Sequence, residues 1–329
     1  MAIRWIGPGG GLGNRILALG AVLALSKSLQ STIAFPWHVL PVCPAEFHDL
    51  FEDMPGINVD NSIGTGNTVI GENRWEPYNI FQEFEKEIQH KIPLEEYCYN
   101  FIESLRSLKF QKSILDELGL YRKQTEGTEH FAIHIRRTDR VTFHKNSLRK
   151  LLSVKSFKNS LTVINNVGFR KTLQYSLFPV ECIRNMENKN LAEICRNLLD
   201  RNSDLRFSIY SDSYDELLTF QQLLRSQGVS EEYYVPSYCN KEGRSEIWGT
   251  FGRRNTSVQS ALIELLGMSM SNGILQNISA SSFSICSSII GGTPILTSQP
   301  RHLFWRVIQT TLGKAPYEIK TEYDKTLHV

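Results

Sequence analysis

Apolar positions along the chain alternate between a strand rhythm and a helix rhythm. Ala2 to Gly7 is a short apolar run that enters Pro8-Gly9-Gly10-Gly11-Leu12-Gly13. From Asn14 to Leu29, Ile16, Leu17, Leu19, Ala21, Leu23, Ala24 and Leu25 predict a helix buried on much of its circumference. Ser31 to Phe35 reads as the next strand, so the chain opens as β-loop-α-β, the start of an α/β fold. A loop rich in Pro and His follows, then short strands and turns over 55–75, and helices near Ile80–Ile88, Leu94–Leu105 and Gln111–Leu118. Arg122 to Glu129 is polar and turn-rich, and divides the chain.

The alternation restarts with a strand at Phe131–Ile135, followed by a polar and basic insert, Thr142–Lys158. Helices are predicted around Gly168–Ser176, Leu191–Asp200, Glu216–Ser226, Thr256–Met270, Ser281–Ile290 and His302–Leu312. Strands are predicted at Arg206–Tyr210, Tyr233–Val235, Ile274–Leu275 and Ile295–Leu296. Strands alternating with helices in both halves predict two Rossmann-like α/β lobes, 1–125 and 126–329, facing a cleft, with the last helix able to return to the first lobe.

Composition adds exclusions. The 329 residues are 41% hydrophobic, and Lys+Arg 36 against Asp+Glu 34 gives a net charge of +2. Nothing global attracts nucleic acid, so an anion site must be local. Cys43, Cys98, Cys182, Cys195, Cys239 and Cys286 lack CxxC spacing and read mostly as reduced, buried thiols. No run of about 18 apolar residues is seen, and the N-terminus lacks signal-peptide regions, so no membrane span and a cytoplasmic location are expected. The histidines form no HxH or HxxxH pair, there is no DxD, and GxSxG is absent; neither a metal centre nor a serine hydrolase is expected.

Four segments can carry chemistry. In His134-Ile135-Arg136-Arg137-Thr138-Asp139-Arg140-Val141, two arginines stand where a strand should end. The pair suits an anion such as a diphosphate, because the guanidinium fork matches phosphate oxygens; an exposed basic turn paired with Asp139 is the other reading. Gly9 to Arg15 places glycines and Asn14 ahead of a helix, where free N–H groups and the dipole favour an anion; a plain tight strand-to-helix turn is the other reading. It is neither a Walker A loop nor a dinucleotide fingerprint, since no acid occupies Leu29–Ile33. Ser211-Asp212-Ser213-Tyr214-Asp215 follows a strand; alone it reads as a helix cap, although Asp212 could accept hydrogen bonds from a base or ribose. Ser279-Ala280-Ser281-Ser282-Phe283-Ser284 opens a helix and suits phosphate or a plain N-cap.

In this order the segments resemble the fucosyltransferase superfamily that shares an HxRR-type motif, including the core α-1,6-, rhizobial Nod-factor, α-1,2- and protein O-fucosyltransferases. The His134–Val141 run is most similar to the α-1,6 group. Gly10–Arg15 resembles the N-terminal GxGN loop of the α-1,2 and O-fucosyl groups. Gly252-Arg253-Arg254-Asn255-Thr256 and the helix after it, as far as Ser281-Ser282-Phe283-Ser284, resemble a third shared motif.

The resemblance implies a GT-B-like fold, GDP-fucose as donor, a glycan acceptor, inversion at the anomeric carbon, and no metal or other cofactor. It implies that Arg136 holds the β-phosphate, that Arg137 assists, and that His134 and Asp212 contact guanosine. Ser281, Ser282 and Phe283 would line the diphosphate and base. Asn14 would sit near the fucose and β-phosphate, with Gly10, Gly11, Gly13 and Arg15 also in the donor-binding loop. An acid that follows the motif in the α-1,6 group has no counterpart in Val141-Thr142-Phe143-His144-Lys145. The general base therefore stays open among His144, Asp139, Glu46, Asp49 and Asp53. A different nucleotide-sugar donor, or a binding module without catalysis, are the competing readings.

Overall fold

The computed structural model describes residues 3–7, 10–40, 42–59, 68–70, 76–135, 180–235, 246–247, 253–254, 257–277 and 281–296. The first half builds a parallel sheet in the order β3-β2-β1-β4 from β1 (Ile3–Trp5), β2 (Ile33–Ala34), β3 (Ile57–Asn58) and β4 (Thr68–Ile70). Helix α1 (Leu12–Leu29) links β1 to β2, and α2 (Pro77–Ile88), α3 (Leu94–Arg106) and α4 (Lys112–Thr125) follow. Helix α4 continues through residues expected to form a turn. Arg122, Lys123 and Gln124 are good helix formers, and the turn comes at Gly127, whose φ of 74° suits glycine.

The second half centres on parallel strands in the order β6-β5-β9, from β5 (His130–Ile135), β6 (Arg206–Ser211) and β9 (Gly273–Gln276). Tyr234 and Ile295 extend it by single parallel bridges to Phe207 and Ile274. Tyr233, expected in a strand, closes a short 3-10 turn, Glu231–Tyr233. Helices α5 (Val180–Arg201) and α6 (Tyr214–Ser226) cover one face. Helix α5 begins 11 residues before the expected Leu191: Arg184, Met186, Glu187 and Lys189 favour a helix without forming an apolar stripe, although Asn185, Asn188 and Asn190 do not. A two-stranded antiparallel ribbon, β7 (Glu246–Ile247) with β8 (Arg253–Arg254), had no periodic signal. The expected helices at 168–176 and 302–312 and the insert at 142–158 lie outside the described residues.

Helices α7 (Val258–Ser269) and α8 (Ser282–Gly291) belong to the second half in sequence but share a core with the first. Leu262, Leu265, Cys286 and Ile289 are buried in one cluster with Ile16, Leu19 and Leu23 of α1 and Phe101 and Leu105 of α3. Each fully buried Leu or Ile contributes roughly 1.5–3 kcal/mol. The Arg106 guanidinium of α3 donates to the Ile289 carbonyl of α8, at 3.2 Å.

Helix α1 corrects one expectation. It is an 18-residue helix apolar enough, by length and composition, to cross a membrane, with a mean hydropathy of 1.3. In the fold 78% of it is buried, which explains the composition: a helix covered on all sides needs no polar face.

Candidate functional site

Two helix N-termini meet at the carboxyl edge of the second sheet. Helix α1 starts at Gly11, an extended N-cap whose lack of a side chain leaves the first-turn N–H groups uncapped. Helix α8 starts at Ser281, an N-cap residue whose hydroxyl does not cap the helix. Neither first turn holds an acidic residue. Gly13 joins the two: a Cβ on it would stand 2.9 Å from the Phe283 nitrogen and 2.9 Å from the Ser282 Oγ. The Cys286 thiol donates to the Gly13 carbonyl, at 3.3 Å. Both termini present unpaired N–H groups and the positive ends of their dipoles to one region, the arrangement that binds phosphate.

The second sheet delivers His134 to the same place. His134 pairs in register with Tyr210 of β6 and Gln276 of β9, and is 5% exposed. Strand alternation turns it to the α7–α8 side, while Ile133 and Ile135 enter the core under α5 and α6. Its Nδ1 lies 2.6 Å from the Ser284 Oγ, and its ring lies 5.4 Å from that of Phe283. Thus the predicted residues Gly13, His134, Ser281, Ser282 and Phe283 come together, although they are far apart in sequence.

Asn14 is half-buried, and its side chain lies against Gly10, whose added Cβ would be 3.2 Å from the Asn14 Nδ2. Gly10 and Gly11 form the approach to α1. At Gly13 the missing side chain makes room for the α8 backbone, not for open space. Asp212 is half-buried just beyond β6, where Ser211 pairs with Ile135. The cap of α6 is Ser213, whose hydroxyl accepts from the Glu216 N–H at 3.5 Å. Arg136, Arg137, Asp139 and His144 lie outside the described residues; β5 ends at Ile135, immediately before them.

Arg15 sits differently from its neighbours in the loop. Its Nε donates to the Gly10 carbonyl at 2.9 Å, its Nη1 donates to the His38 carbonyl at 2.7 Å, and its guanidinium carbon lies 4.8 Å from the Trp37 ring centre. The residue is 5% exposed, and burial pulls its pKa down, opposed by the nearby Cys43.

Among the candidate bases of the first lobe, Glu46 and Asp49 form a reciprocal capping box on the turn Phe47–Asp49. Asp53 is 96% exposed at its side chain. Sequence reasoning passed over a buried asparagine at the end of β9 and gave Ser284, in the first turn of α8, no role of its own. The Asn277 amide donates to the Asn188 Oδ1 at 2.9 Å, and Ser284 partners His134. The pair Gln276-Asn277 ending an apolar strand was the available signal.

A cavity of about 870 Å³ opens at the opposite, amino-terminal edge of the sheet, beside Arg122, His130 and Asn272. No predicted site residue lines it. Among the described residues, no three His, Cys, Asp or Glu side chains cluster as metal ligands would. Among the described residues, Cys43, Cys98, Cys195 and Cys286 are buried and form no disulfide, as expected for them.

No protein-family profile matches the chain, and no curated protein matches it in sequence. Solved structures do. The apo form of POFUT1 is 12% identical, covers 90% of this chain and 97% of its own, and gives a TM-score of 0.51. POFUT1 in complex with GDP-fucose is 13% identical, with 90% and 96% covered and a TM-score of 0.48. The fucosyltransferase NodZ from Bradyrhizobium is 13% identical, with 92% and 95% covered and a TM-score of 0.47. The likeness is one of fold: the chain has the α/β, GT-B-like architecture, with parallel sheets in both halves.

Proposed function

We propose that this protein is an inverting, metal-independent glycosyltransferase that moves fucose from GDP-fucose to a hydroxyl of a glycan, without a cofactor. The observation that carries the proposal is the meeting of two acid-free helix N-termini, α1 and α8, beside His134. Two dipoles aimed at one region suit a diphosphate better than a neutral ligand. POFUT1, whose apo form shares the fold, has been crystallised with GDP-fucose, which supports GDP as the nucleotide.

In this reading the acceptor oxygen attacks the anomeric carbon from the face opposite GDP. The bond from that carbon to the β-phosphate oxygen breaks, GDP leaves, and the acceptor proton passes to Asp139 or His144. Arg136 stabilises the charge developing on the β-phosphate, and Arg137 buttresses the loop. The α1 and α8 N-termini, with Asn14, Ser281 and Ser282, receive the diphosphate. His134, Asp212 and Phe283 border the guanosine. Removing one preorganised donor at such a charge costs roughly 10²–10³ in turnover.

A thermal-shift comparison of GDP, UDP and ADP tests the nucleotide, because only a bound one raises the melting temperature. GDP release from GDP-fucose, followed with and without EDTA, tests the chemistry. The expected result is stabilisation by GDP and turnover indifferent to EDTA. Preferential stabilisation by UDP would move the donor to another nucleotide sugar, and a strict Mn²⁺ requirement would overturn metal-independence.

A further inference from the structure

Arg15 is a buried cation that satisfies carbonyls on two segments at once. Nε holds the Gly10 carbonyl ahead of α1, and Nη1 holds the His38 carbonyl on the segment after β2. The Trp37 ring lies under the guanidinium and is fixed in turn: its Nε1 donates to the Ala45 carbonyl at 2.9 Å, and its faces meet Phe47 and Phe51 edge-on. Among the described residues Nη2 has no hydrogen-bond partner, and no carboxylate lies within 4.0 Å of the guanidinium. A buried charge without a counter-ion is unfavourable. A residue that only filled this space would be more stable as an apolar side chain of similar volume.

We infer that Arg15 is a positioning residue for the diphosphate, and not one of its ligands. Its fork fixes the Gly10 carbonyl away from the junction of α1 and α8, so that the free N–H groups of the first turn of α1 face that junction. It also joins this loop to the aromatic cluster of Trp37, Phe47 and Phe51, which sets the loop's distance from the rest of the first lobe. Direct contact with a ligand is disfavoured, since two nitrogens are engaged and Nη2 is closed to solvent. The inference rests on the proposed nucleotide site.

The test uses the full chain, with GDP and guanosine as probes in calorimetric titrations. Arg15→Lys keeps the charge but cannot make both bonds from one planar fork. Arg15→Met removes the charge and keeps much of the volume. The expected result is a loss of GDP affinity of about tenfold in either variant, with guanosine affinity unchanged within twofold; a tenfold loss is the affinity equivalent of one ordinary contact. A GDP affinity within twofold of wild type, or equal losses for GDP and guanosine, overturns the inference. If neither variant folds, Trp37→Leu removes the ring under the guanidinium together with its bond to the Ala45 carbonyl, and an unchanged ratio of GDP to guanosine affinity there overturns it equally. Wild-type protein that prefers UDP or ADP to GDP refutes the nucleotide assignment instead.

Discussion

Gly13→Ala isolates the contact on which the site depends. The added methyl would stand 2.9 Å from the Phe283 nitrogen, 2.9 Å from the Ser282 Oγ and 3.0 Å from the Ser282 carbonyl carbon. The Ser282 hydroxyl can rotate away, but the other two atoms are α8 backbone. Overpacking of this kind costs about 1–3 kcal/mol. Alanine in a helix returns up to about 1 kcal/mol relative to glycine. Gly119 supplies the control: it lies in α4, and an added Cβ there meets nothing within 4 Å. Gly119→Ala should therefore stabilise by about 0.5–1 kcal/mol. The two variants should differ by about 1–3 kcal/mol, the steric part alone. At about 2 °C per kcal/mol for a large chain, melting temperatures should separate by about 2–6 °C, Gly119→Ala above wild type. Gly13→Ala should also weaken GDP binding, because the relief of the clash moves α1 and α8 apart. Equal melting temperatures for the two alanine variants, with unaltered GDP affinity, would refute the claim that this close approach builds the site.

Arg136→Ala should lower transfer by roughly 10²–10³ while far-ultraviolet circular dichroism stays native; near-wild-type turnover would remove Arg136 from the reaction. Ser284→Ala should cost about 1–3 kcal/mol in denaturant unfolding by deleting the buried hydrogen bond to the His134 Nδ1, and an unchanged midpoint would show that the hydroxyl is replaced there. Burial lowers the His130 pKa below 6.5, with the Thr128 carbonyl opposing. The unfolded chain then binds the proton more readily, so stability should fall as pH drops below 6.5 and be flat above it. Melting curves of wild type and His130→Gln across that range check this, and parallel pH profiles would exclude His130. Burial raises the Cys98 pKa to about 12, so Cys98 should stay unmodified by a thiol reagent at pH 8 until the protein unfolds.

The sequence made the elements legible where one physical rule dominated. The all-round apolar composition of α1 and the alternation of β5 located both within two residues of their observed starts. The same composition in α1 also satisfies the test for a membrane span, because a helix covered on every side and a helix in lipid need the same residues. The early start of α5 and the late end of α4 were missed for one reason: polar helix formers outside a periodic stripe carry propensity but no pattern. The role of Gly13 was invisible because its reason is a neighbour 270 positions away, at the α8 N-terminus. Arg15 read as a donor-site residue because it follows a glycine loop; its bonds to the Gly10 and His38 carbonyls were not legible there, because they depend on how the loop and the segment after β2 fold.

Helix α8 explains why segments from both halves reach one place. Its Cys286 and Ile289 are buried against α1 and α3, while its Ser284 meets His134 on the second sheet. The α1 N-terminus is thereby set against the α8 N-terminus by core packing, and the β5 carboxyl end is set against it by a buried hydrogen bond. Both constraints act through three consecutive residues, Ser282 to Ser284, together with Cys286 two residues further on. A segment under so many constraints can hold its N–H groups in a fixed direction before any ligand arrives. Preorganisation of this kind is what makes a charged leaving group less costly to stabilise than it would be in water, where dipoles must first reorient. The apolar burial of α8 and the chemistry proposed at its first turn are therefore one structural fact seen from its two ends.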